Sequence, residues 1–351
     1  MKKIVHLVHN DKFSSGYINF MLLNMKDYEH RFFLEKGEYK LDLIDSSFEP
    51  FVQIIDFKDI NREKIIDELN EANKIIVTGI FGIERKLIFL PRKILNKTYL
   101  QFWGGDFYAY RDVKVISRTN INKAVMHYCI KKCAGIINLI DGDYEELLKV
   151  FPNNTKHYIG IMPADPRRIE NFEEYLKENK ITNRIIVGNS ATKENHHVEV
   201  FKMLEHLKND NIEVVSPLSY GDMEYAKEVI KEGKKLFGDK FVPINNFMNA
   251  KDYLQFLSTC TIGIFYNDRQ QAMGNINRLL KLGKKVYLRK GTSMERNFKK
   301  YNIKIYDVEE ISRITYNQLF DLNFQVGQDN YNKMLKMEED YNDCWKKILE
   351  I

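Results

Sequence analysis

Short apolar runs alternate with helical patterns along the whole chain, and this alternation constrains the fold more than any other feature. Each run has the length of a buried strand, and apolar strands separated by helices are typical of parallel sheets covered on both faces. The predicted strands are residues 3–8, 41–44, 52–56, 74–78, 98–102, 135–139, 184–187, 213–216, 241–244, 261–265, 285–288 and 303–306. The predicted helices between them are residues 17–26, 60–72, 83–94, 118–132, 142–150, 194–208, 222–236, 249–259, 275–283 and 293–300. Two such blocks predict an α/β protein of two Rossmann-like, doubly wound domains that face a cleft.

Prolines and charged residues interrupt the alternation between residues 162 and 183, where little strand character remains. We therefore predict an N-terminal domain over residues 1–165, a linker over 166–183 and a C-terminal domain over 184–327. Residues 328–351 form a polar helical pattern with apolar members that include Tyr341 and Trp345. We expect this terminal helix to cross back and pack on the N-terminal domain.

Charge and hydropathy exclude several classes of protein. No stretch approaches the roughly 20 apolar residues of a membrane-spanning helix. The net charge of +5 is modest and is not the concentrated charge of a nucleic-acid binder. His6 and His9 interrupt the first apolar run, which reads as a strand rather than a secretion signal. We expect a cytoplasmic protein that touches a membrane only at its surface.

Basic and apolar residues are interleaved over residues 82–102, where five cations fall in one segment. The segment is open to two interpretations. A basic amphipathic helix can lie on an anionic membrane surface, and an ordinary helix can carry a solvated basic face.

Two glycine-bearing loops, about eighty residues apart, follow predicted strands of the C-terminal domain. Each leads into a helix, and backbone N–H groups beside a helix N-terminus suit an anion such as a diphosphate. A histidine in the first turn and a tyrosine after the neighbouring strand can add contacts to a phosphate or a base. The predicted ligand-binding residues are Gly188, Asn189, Ser190, His197, Tyr220, Gln270, Gln271, Gly274 and Asn275.

The loop after the first strand lacks a GxGxxG pattern, so it does not predict a dinucleotide site. It carries Asp11, a candidate general base, with His9 and Ser14 as candidate contacts to a second substrate. The alternative is that Asp11 or Ser14 only caps the following helix.

A second loop of this domain joins paired glycines to aromatic residues and an acid. Trp103, Gly104 and Tyr108 are candidates to contact a sugar ring, and Asp106 is a second candidate base. A tight turn packed by aromatic residues is the alternative interpretation.

The tripeptide Asp141-Gly142-Asp143 is similar to the DxD that holds a divalent metal in many nucleotide-sugar enzymes. Asp143 is equally well placed to cap the next helix, and we favour that interpretation. We predict no metal and no other cofactor.

At these loops the chain resembles glycosyltransferase family 56, the TDP-Fuc4NAc:lipid II transferases of enterobacterial common antigen synthesis. The resemblance runs through most of the chain. Only Asp143 of the DGD tripeptide fits the family pattern. The residues that carry the resemblance are Asp11, Trp103-Gly104, Asp106, Tyr108, Val187-Gly188-Asn189-Ser190, Asn195, His197, Pro217, Tyr220, Arg269-Gln270-Gln271, Gly274 and Trp345.

The resemblance implies a GT-B fold and a metal-independent hexosyltransferase. It implies transfer of a 4-acetamido-4,6-dideoxyhexose-type sugar from a dTDP-sugar donor to a polyprenyl-diphosphate-linked saccharide. The acceptor lies in the inner leaflet of the cell membrane, so the enzyme would be peripheral there and serve surface polysaccharide synthesis. The sequence after Asp11 diverges from the family, and this leaves the donor sugar and the acceptor glycan open.

Two other functions fit the same architecture. A nucleotide-sugar 2-epimerase would isomerise the sugar rather than transfer it. A non-catalytic nucleotide-sugar-binding protein would bind dTDP without turnover.

Overall fold

A computed structural model describes residues 1–111, 118–163, 172 and 182–351. The chain divides into two compact units, Met1–Ile169 with Glu339–Ile351, and Glu170–Glu338. The predicted linker, residues 166–183, lies outside the described residues except for Phe172, Thr182 and Asn183.

The first unit contains a parallel sheet of seven strands in the order β3-β2-β1-β4-β5-β6-β7. The direction of winding reverses beside β1, and this switch point is where open α/β sheets bind ligands. The strands are β1 Lys2–Val8, β2 Tyr28–Glu35, β3 Val52–Ile55, β4 Lys74–Thr78, β5 Thr98–Phe102, β6 Gly135–Asn138 and β7 His157–Ile159. The helices are α1 Ser14–Asn24, α2 Glu63–Glu71, α3 Glu84–Leu87, α4 Arg92–Leu95, α5 Gly105–Tyr108, α6 Arg118–Lys132 and α7 Asp141–Val150.

The second unit contains a parallel sheet of six strands in the order β10-β9-β8-β11-β12-β13. Its strands are β8 Arg184–Val187, β9 Glu213–Pro217, β10 Phe241–Ile244, β11 Ile262–Phe265, β12 Lys285–Leu288 and β13 Tyr306–Asp307. The helices that follow Asn183 are α8 His197–Leu204, α9 Met223–Phe237, α10 Ala250–Ser258, α11 Met273–Lys281, α12 Ser293–Lys300, α13 Tyr316–Phe320 and α14 Phe324–Glu350. The predicted parallel, helix-covered α/β architecture is confirmed.

Apolar strand residues build the cores, as the sequence pattern predicts. Ile75, Ile76 and Val77 of β4 are fully buried, and Ile185 and Val187 of β8 belong to a separate core in the second unit. Continuous burial along a strand requires cover on both faces of the sheet, and this explains why these strands lack alternating polar residues.

The prediction of a strand over residues 41–44 is wrong, and β2 takes that place in the sheet. The backbone of residues 42–44 pairs with side chains of α1 instead of a strand. Ser15 Oγ accepts from Asp42 N at 3.0 Å, and Asn19 bonds Asp42 O at 3.2 Å and Ile44 N at 3.1 Å. The sequence pattern did not predict β2, Tyr28–Glu35, because its first residues are polar. The edge strand β7 was also not predicted, because it has only three residues.

The single helix predicted over residues 83–94 is also wrong. Pro91 separates two short helices, because proline lacks the N–H that a helix interior requires. Leu87, Leu90 and Ile94 point into the core of the first unit. The apolar side of this segment therefore packs against protein, and Phe89 is left as an exposed exception.

The last turns of α14 pack into the first unit. The Trp345 indole is fully buried, meets the Tyr17 ring edge-on at 5.5 Å and donates to Ile161 O at 2.8 Å. The buried Lys74 ammonium donates to Ile348 O, and its burial lowers the pKa of Lys74 to about 8. These contacts connect the C-terminal helix to residues that lie far away in sequence.

Two buried histidines form a hydrogen-bonded chain beneath the sheet of the first unit. Met25 O accepts from His30 Nε2, so neutral His30 accepts at Nδ1 from His6 Nε2 at 2.9 Å. His6 Nδ1 then accepts from the Tyr17 hydroxyl at 2.9 Å. This assignment satisfies every ring nitrogen only while both imidazoles are neutral.

We predict that this histidine chain makes stability depend on pH. Burial, and then the neighbouring His30, holds the pKa of His6 well below 6.5, and burial lowers the pKa of His30 as well. The unfolded chain binds more protons below about pH 6.5, so the stabilisation is present above that pH and is lost as pH falls. Thermal unfolding between pH 8 and pH 5 should show a smaller fall in Tm for His6→Gln than for wild type. Equal slopes for the two proteins would contradict the prediction.

Candidate active site

The two glycine-bearing loops of the second unit follow adjacent strands, β8 and β11, and bond directly to each other. Asn267 Nδ2 donates to Asn195 Oδ1 at 3.1 Å. The Arg269 guanidinium donates to the Glu194 carboxylate from Nε at 2.9 Å and from Nη2 at 2.8 Å. Parallel strands end at one edge of the sheet, and this brings together segments that lie about eighty residues apart.

Gly188 begins the first loop in a conformation that only glycine adopts readily, with φ of +71°. A Cβ here would lie 2.4 Å from His197 Nε2, so the backbone passes directly over that imidazole. Asn195 Oδ1 accepts from Asn189 N at 3.0 Å and holds the next residue of the turn.

His197 lies fully buried under this turn. Burial, and then the neighbouring His196, lowers the pKa of His197 to about 3, so the imidazole is neutral at physiological pH. Its Nε2 finds no hydrogen-bond partner within the described part of the chain. Ser190 is also buried, and its hydroxyl pairs with Thr192 Oγ1 at 3.3 Å. Both side chains are therefore part of the buried support of this loop.

A third loop, after β9, joins the same edge. Asn189 Nδ2 donates to the Tyr220 hydroxyl at 3.2 Å, and Ala191 forms a bridge with Gly221. The Tyr220 side chain is 45% exposed, which suits a residue that stacks on a base.

In the segment of residues 270–275, the Gln271 side chain is hydrogen-bonded at both ends. Gln271 Nε2 donates to Glu194 Oε2 at 3.0 Å, and Gln271 Oε1 accepts from Asn267 at 2.9 Å. Both ends of this amide therefore bond to other residues of these loops. Gln270 is buried, whereas Gly274 is exposed in the first turn of α11. Asn275 bonds the Tyr253 hydroxyl at 2.8 Å.

In the first unit, the loops after β1, β4 and β5 gather aromatic rings at the carboxyl edge of the sheet. His9 lies 4.8 Å from the Phe81 ring and 5.9 Å from the Trp103 ring, and Phe13 meets Trp103 edge-on at 6.4 Å. Trp103 Nε1 donates to Thr78 Oγ1 at 3.1 Å, which fixes the indole. Exposed aromatic surface of this kind suits the face of a sugar ring.

Asp106, the second predicted base, is held by the backbone of two loops. It is 3% exposed, and its carboxylate accepts from the backbone N–H groups of Ile80, Trp103 and Gly104 at 3.0–3.1 Å. Burial raises the pKa of Asp106 to about 6, while these backbone hydrogen bonds act in the opposite direction. The carboxylate thus connects the loops after β4 and β5, and its burial removes it from an incoming hydroxyl.

Two of the predicted acceptor contacts are also structural. Ser14 is buried, donates to His9 O at 2.7 Å and accepts from Asp11 N at 3.0 Å. Tyr108 belongs to the core, and its hydroxyl donates to Asp143 Oδ1 at 3.3 Å. Asp143 is fully buried inside the first turn of α7 and does not cap that helix, which begins after Ile140.

Glu35 is the residue that the sequence interpretation missed. It ends β2, the strand that was not recognised, and its Oε2 lies 2.5 Å from His9 Nδ1. Recognition of β2 would have placed residue 35 beside residue 9, because β1 and β2 pair with Val8 opposite Leu34. Asp11 keeps its predicted place on the β1 loop, where its Oδ1 accepts from Phe13 N at 3.2 Å.

Solved structures with the same architecture are glycosyltransferases of GT-B fold, as the resemblance implied. The UDP-forming α,α-trehalose-phosphate synthase of Burkholderia xenovorans has a TM-score of 0.68 at 10% identity, covering 99% of this chain and 98% of that one. HepE of Anabaena, in complex with UDP and glucose, has a TM-score of 0.67 at 10% identity, covering 100% of both chains. A glycosyltransferase from Rickettsia africae has a TM-score of 0.61 at 12% identity, covering 98% and 99%.

The family comparison is more specific than these structures, whose low identities establish the fold alone. Residues 51–351 match the model of the family described as 4-alpha-L-fucosyltransferase, glycosyl transferase group 56. The match spans well over half of the sequence and includes all the loops of the second unit. The chain belongs to glycosyltransferase family 56.

Proposed function

We propose that the protein transfers a 4-acetamido-4,6-dideoxyhexose-type sugar from a dTDP-sugar to a polyprenyl-diphosphate-linked saccharide. The observation that carries the proposal is the set of three hydrogen-bonded loops at the carboxyl edge of the second sheet. Gly188 there passes over a neutral His197, and Gly274 lies exposed in the first turn of α11. Such a surface suits the diphosphate of a nucleotide-sugar.

The chemistry of the donor side follows from charge. As the sugar leaves, negative charge grows on the diphosphate, and fixed backbone dipoles aimed at that charge lower the barrier. The N-terminus of α11 contributes a partial positive charge. Tyr220, partly exposed beside Asn189, is placed to stack on the base. HepE, which shares this fold, was solved with UDP and glucose, and this supports a nucleotide-sugar donor.

We further propose that transfer needs no metal ion. The DGD tripeptide does not offer a pair of carboxylates to a ligand, because Asp143 is buried and accepts from Tyr108. Backbone amides and the α11 N-terminus would take the place that a cation has in metal-dependent enzymes.

The acceptor would bind the first unit, against His9, Phe81 and Trp103. Its attacking hydroxyl must lose a proton to a group on this unit. With Asp106 buried, Asp11 is the remaining predicted carboxylate at this edge.

A polyprenyl-linked acceptor requires contact with a membrane surface. None of the described helices is long and apolar enough to cross a membrane. The segment around α3 and α4 offers a surface for peripheral contact with a membrane. This Phe89 surface consists of Phe89, which is 72% exposed, and the exposed cations Arg85, Arg92 and Lys93. An exposed aromatic side chain amid basic residues fits the headgroup region of an anionic bilayer.

The donor assignment predicts that Gly188→Ala weakens dTDP binding. A methyl group would collide with His197 Nε2 in a backbone conformation that costs alanine about 1–3 kcal/mol. We expect the Kd for dTDP to rise about 10- to 100-fold in calorimetry. Gly238→Ala is the matched control, since Gly238 also has positive φ but has open space around its Cβ position. Equal losses in the two variants would contradict the assignment.

The proposed reaction predicts that activity survives EDTA. Incubation of wild type with a dTDP-sugar and a polyprenyl-diphosphate-linked saccharide should release dTDP and form a new lipid-linked glycoside at the same rate with and without chelator. Strict dependence on Mg²⁺ or Mn²⁺ would overturn the metal-free mechanism. An isomerised sugar without a glycoside would instead identify an epimerase, and dTDP binding without turnover would identify a binding protein.

The Phe89 surface predicts binding to anionic vesicles. Wild type should sediment with vesicles that contain an anionic lipid and should bind neutral vesicles less. Replacement of Phe89 by serine with Arg92→Gln and Lys93→Gln should reduce binding, each cation contributing about 1 kcal/mol. Phe247→Ser, at another exposed phenylalanine, is the control and should bind as wild type does. Unchanged sedimentation of the triple variant would contradict the assignment.

A further inference from the structure

An imidazole–carboxylate pair lies at the carboxyl ends of β1 and β2 in the first sheet. His9 follows β1 and Glu35 ends the adjacent β2, and the two side chains meet at 2.5 Å between Nδ1 and Oε2. The loops that follow these strands are tied together as well. Asn10 donates to Tyr39 O at 3.0 Å and accepts from Tyr39 N at 2.9 Å.

The carboxylate determines which nitrogen of His9 is basic. An ionised carboxylate only accepts hydrogen bonds, so it selects the tautomer with the proton on Nδ1 and leaves the lone pair on Nε2. No hydrogen bond to His9 Nε2 is present among the described residues. The His9 and Glu35 side chains are 26% and 27% exposed, so the pair is accessible but not freely solvated.

The surroundings of His9 suit a sugar. Phe81 and Trp103 flank the imidazole, and Gly79 leaves room for it, since a Cβ at Gly79 would lie 2.9 Å from His9 Cβ. Aromatic walls bind the apolar faces of a sugar ring and shield a hydroxyl from water at the moment of attack.

The two predicted carboxylate bases fit less well. Asp106 is buried and engaged with three backbone N–H groups. Asp11 accepts from Phe13 N within its own turn, and nothing in the described structure orients it as Glu35 orients His9.

We propose that His9 is the general base of the transfer reaction and that Glu35 is its positioning residue. The acceptor O–H bond breaks, and its proton goes to His9 Nε2. The acceptor oxygen bonds to the anomeric carbon, and the bond from that carbon to the diphosphate breaks, with the electron pair leaving on the nucleoside diphosphate. Glu35 stabilises the imidazolium through Nδ1–H. The inference rests on the proposed transfer but not on the identity of the nucleotide.

The test compares His9→Gln, Glu35→Gln, Glu35→Asp and Asp11→Asn in full-length protein, with dTDP binding measured by calorimetry. His9→Gln should lower kcat by about 10²–10⁴-fold, the usual contribution of a general base, with dTDP affinity unchanged. Glu35→Gln should also lower kcat, and Glu35→Asp should restore much of the loss. The double variant His9→Gln/Glu35→Gln should be no slower than His9→Gln alone, because the two residues act as one unit. Asp11→Asn should lower kcat less than His9→Gln does.

Added imidazole should restore part of the activity of His9→Ala and none of that of Glu35→Gln. The base assignment is overturned if His9→Gln keeps the wild-type rate, or if Asp11→Asn alone abolishes transfer with donor binding intact. It is also overturned if the kcat losses of His9→Gln and Glu35→Gln multiply in the double variant. Transfer by the wild-type protein from a UDP-sugar but not from a dTDP-sugar would overturn the proposed donor. The same variants would then test the general base in the reaction with the UDP-sugar.

A measurement without any substrate completes the test. In ¹⁵N-labelled protein, His9 should show a far-downfield proton on Nδ1 and an unprotonated Nε2, and Glu35→Gln should abolish the downfield resonance. A proton on Nε2 of neutral His9 in wild type would overturn the proposal whatever the donor.

Discussion

All strands of a parallel sheet end at the same edge, and both candidate sites depend on this constraint. In the second unit β9, β8 and β11 are neighbours, so the loops that carry Tyr220, Gly188 and Gln271 converge. In the first unit β2 and β1 are neighbours, so Glu35 meets His9. Residues far apart in sequence therefore become adjacent without any special contact to draw them together.

Buried polar side chains then give these loops a defined shape. Asn195 Oδ1 accepts from Asn189 N and from Asn267, while Asp106 accepts from three backbone N–H groups of the first unit. A buried N–H without a partner costs about 1–3 kcal/mol, so loss of either side chain would release the turn it holds. Several polar residues of these loops are thus hydrogen-bonded supports of the turns. Such preorganisation is what lets fixed dipoles lower a barrier.

Prediction from sequence succeeded where burial alone decides the pattern. The fully apolar runs of β4 and β8 are unmistakable, since helices cover both faces of their sheets. It failed at β2, whose first residues are polar, and at residues 41–44, whose backbone bonds Ser15 and Asn19. It also failed for residues 83–94, where Pro91 breaks the helix and the apolar side chains turn inward. At residues 41–44 tertiary contacts outweighed the local pattern, whereas at residues 83–94 Pro91, a local feature, decided the outcome.

The sequence by itself determined the class of fold and the family, because periodicity and motif order are properties of the chain alone. Only the tertiary structure decided what each polar residue in the loops does. Asp11 and Asp106 are both plausible bases in a linear sequence, yet burial and backbone N–H groups separate them. The His9–Glu35 pair could not be foreseen, since its two members lie on different strands and become partners only through the register of the sheet.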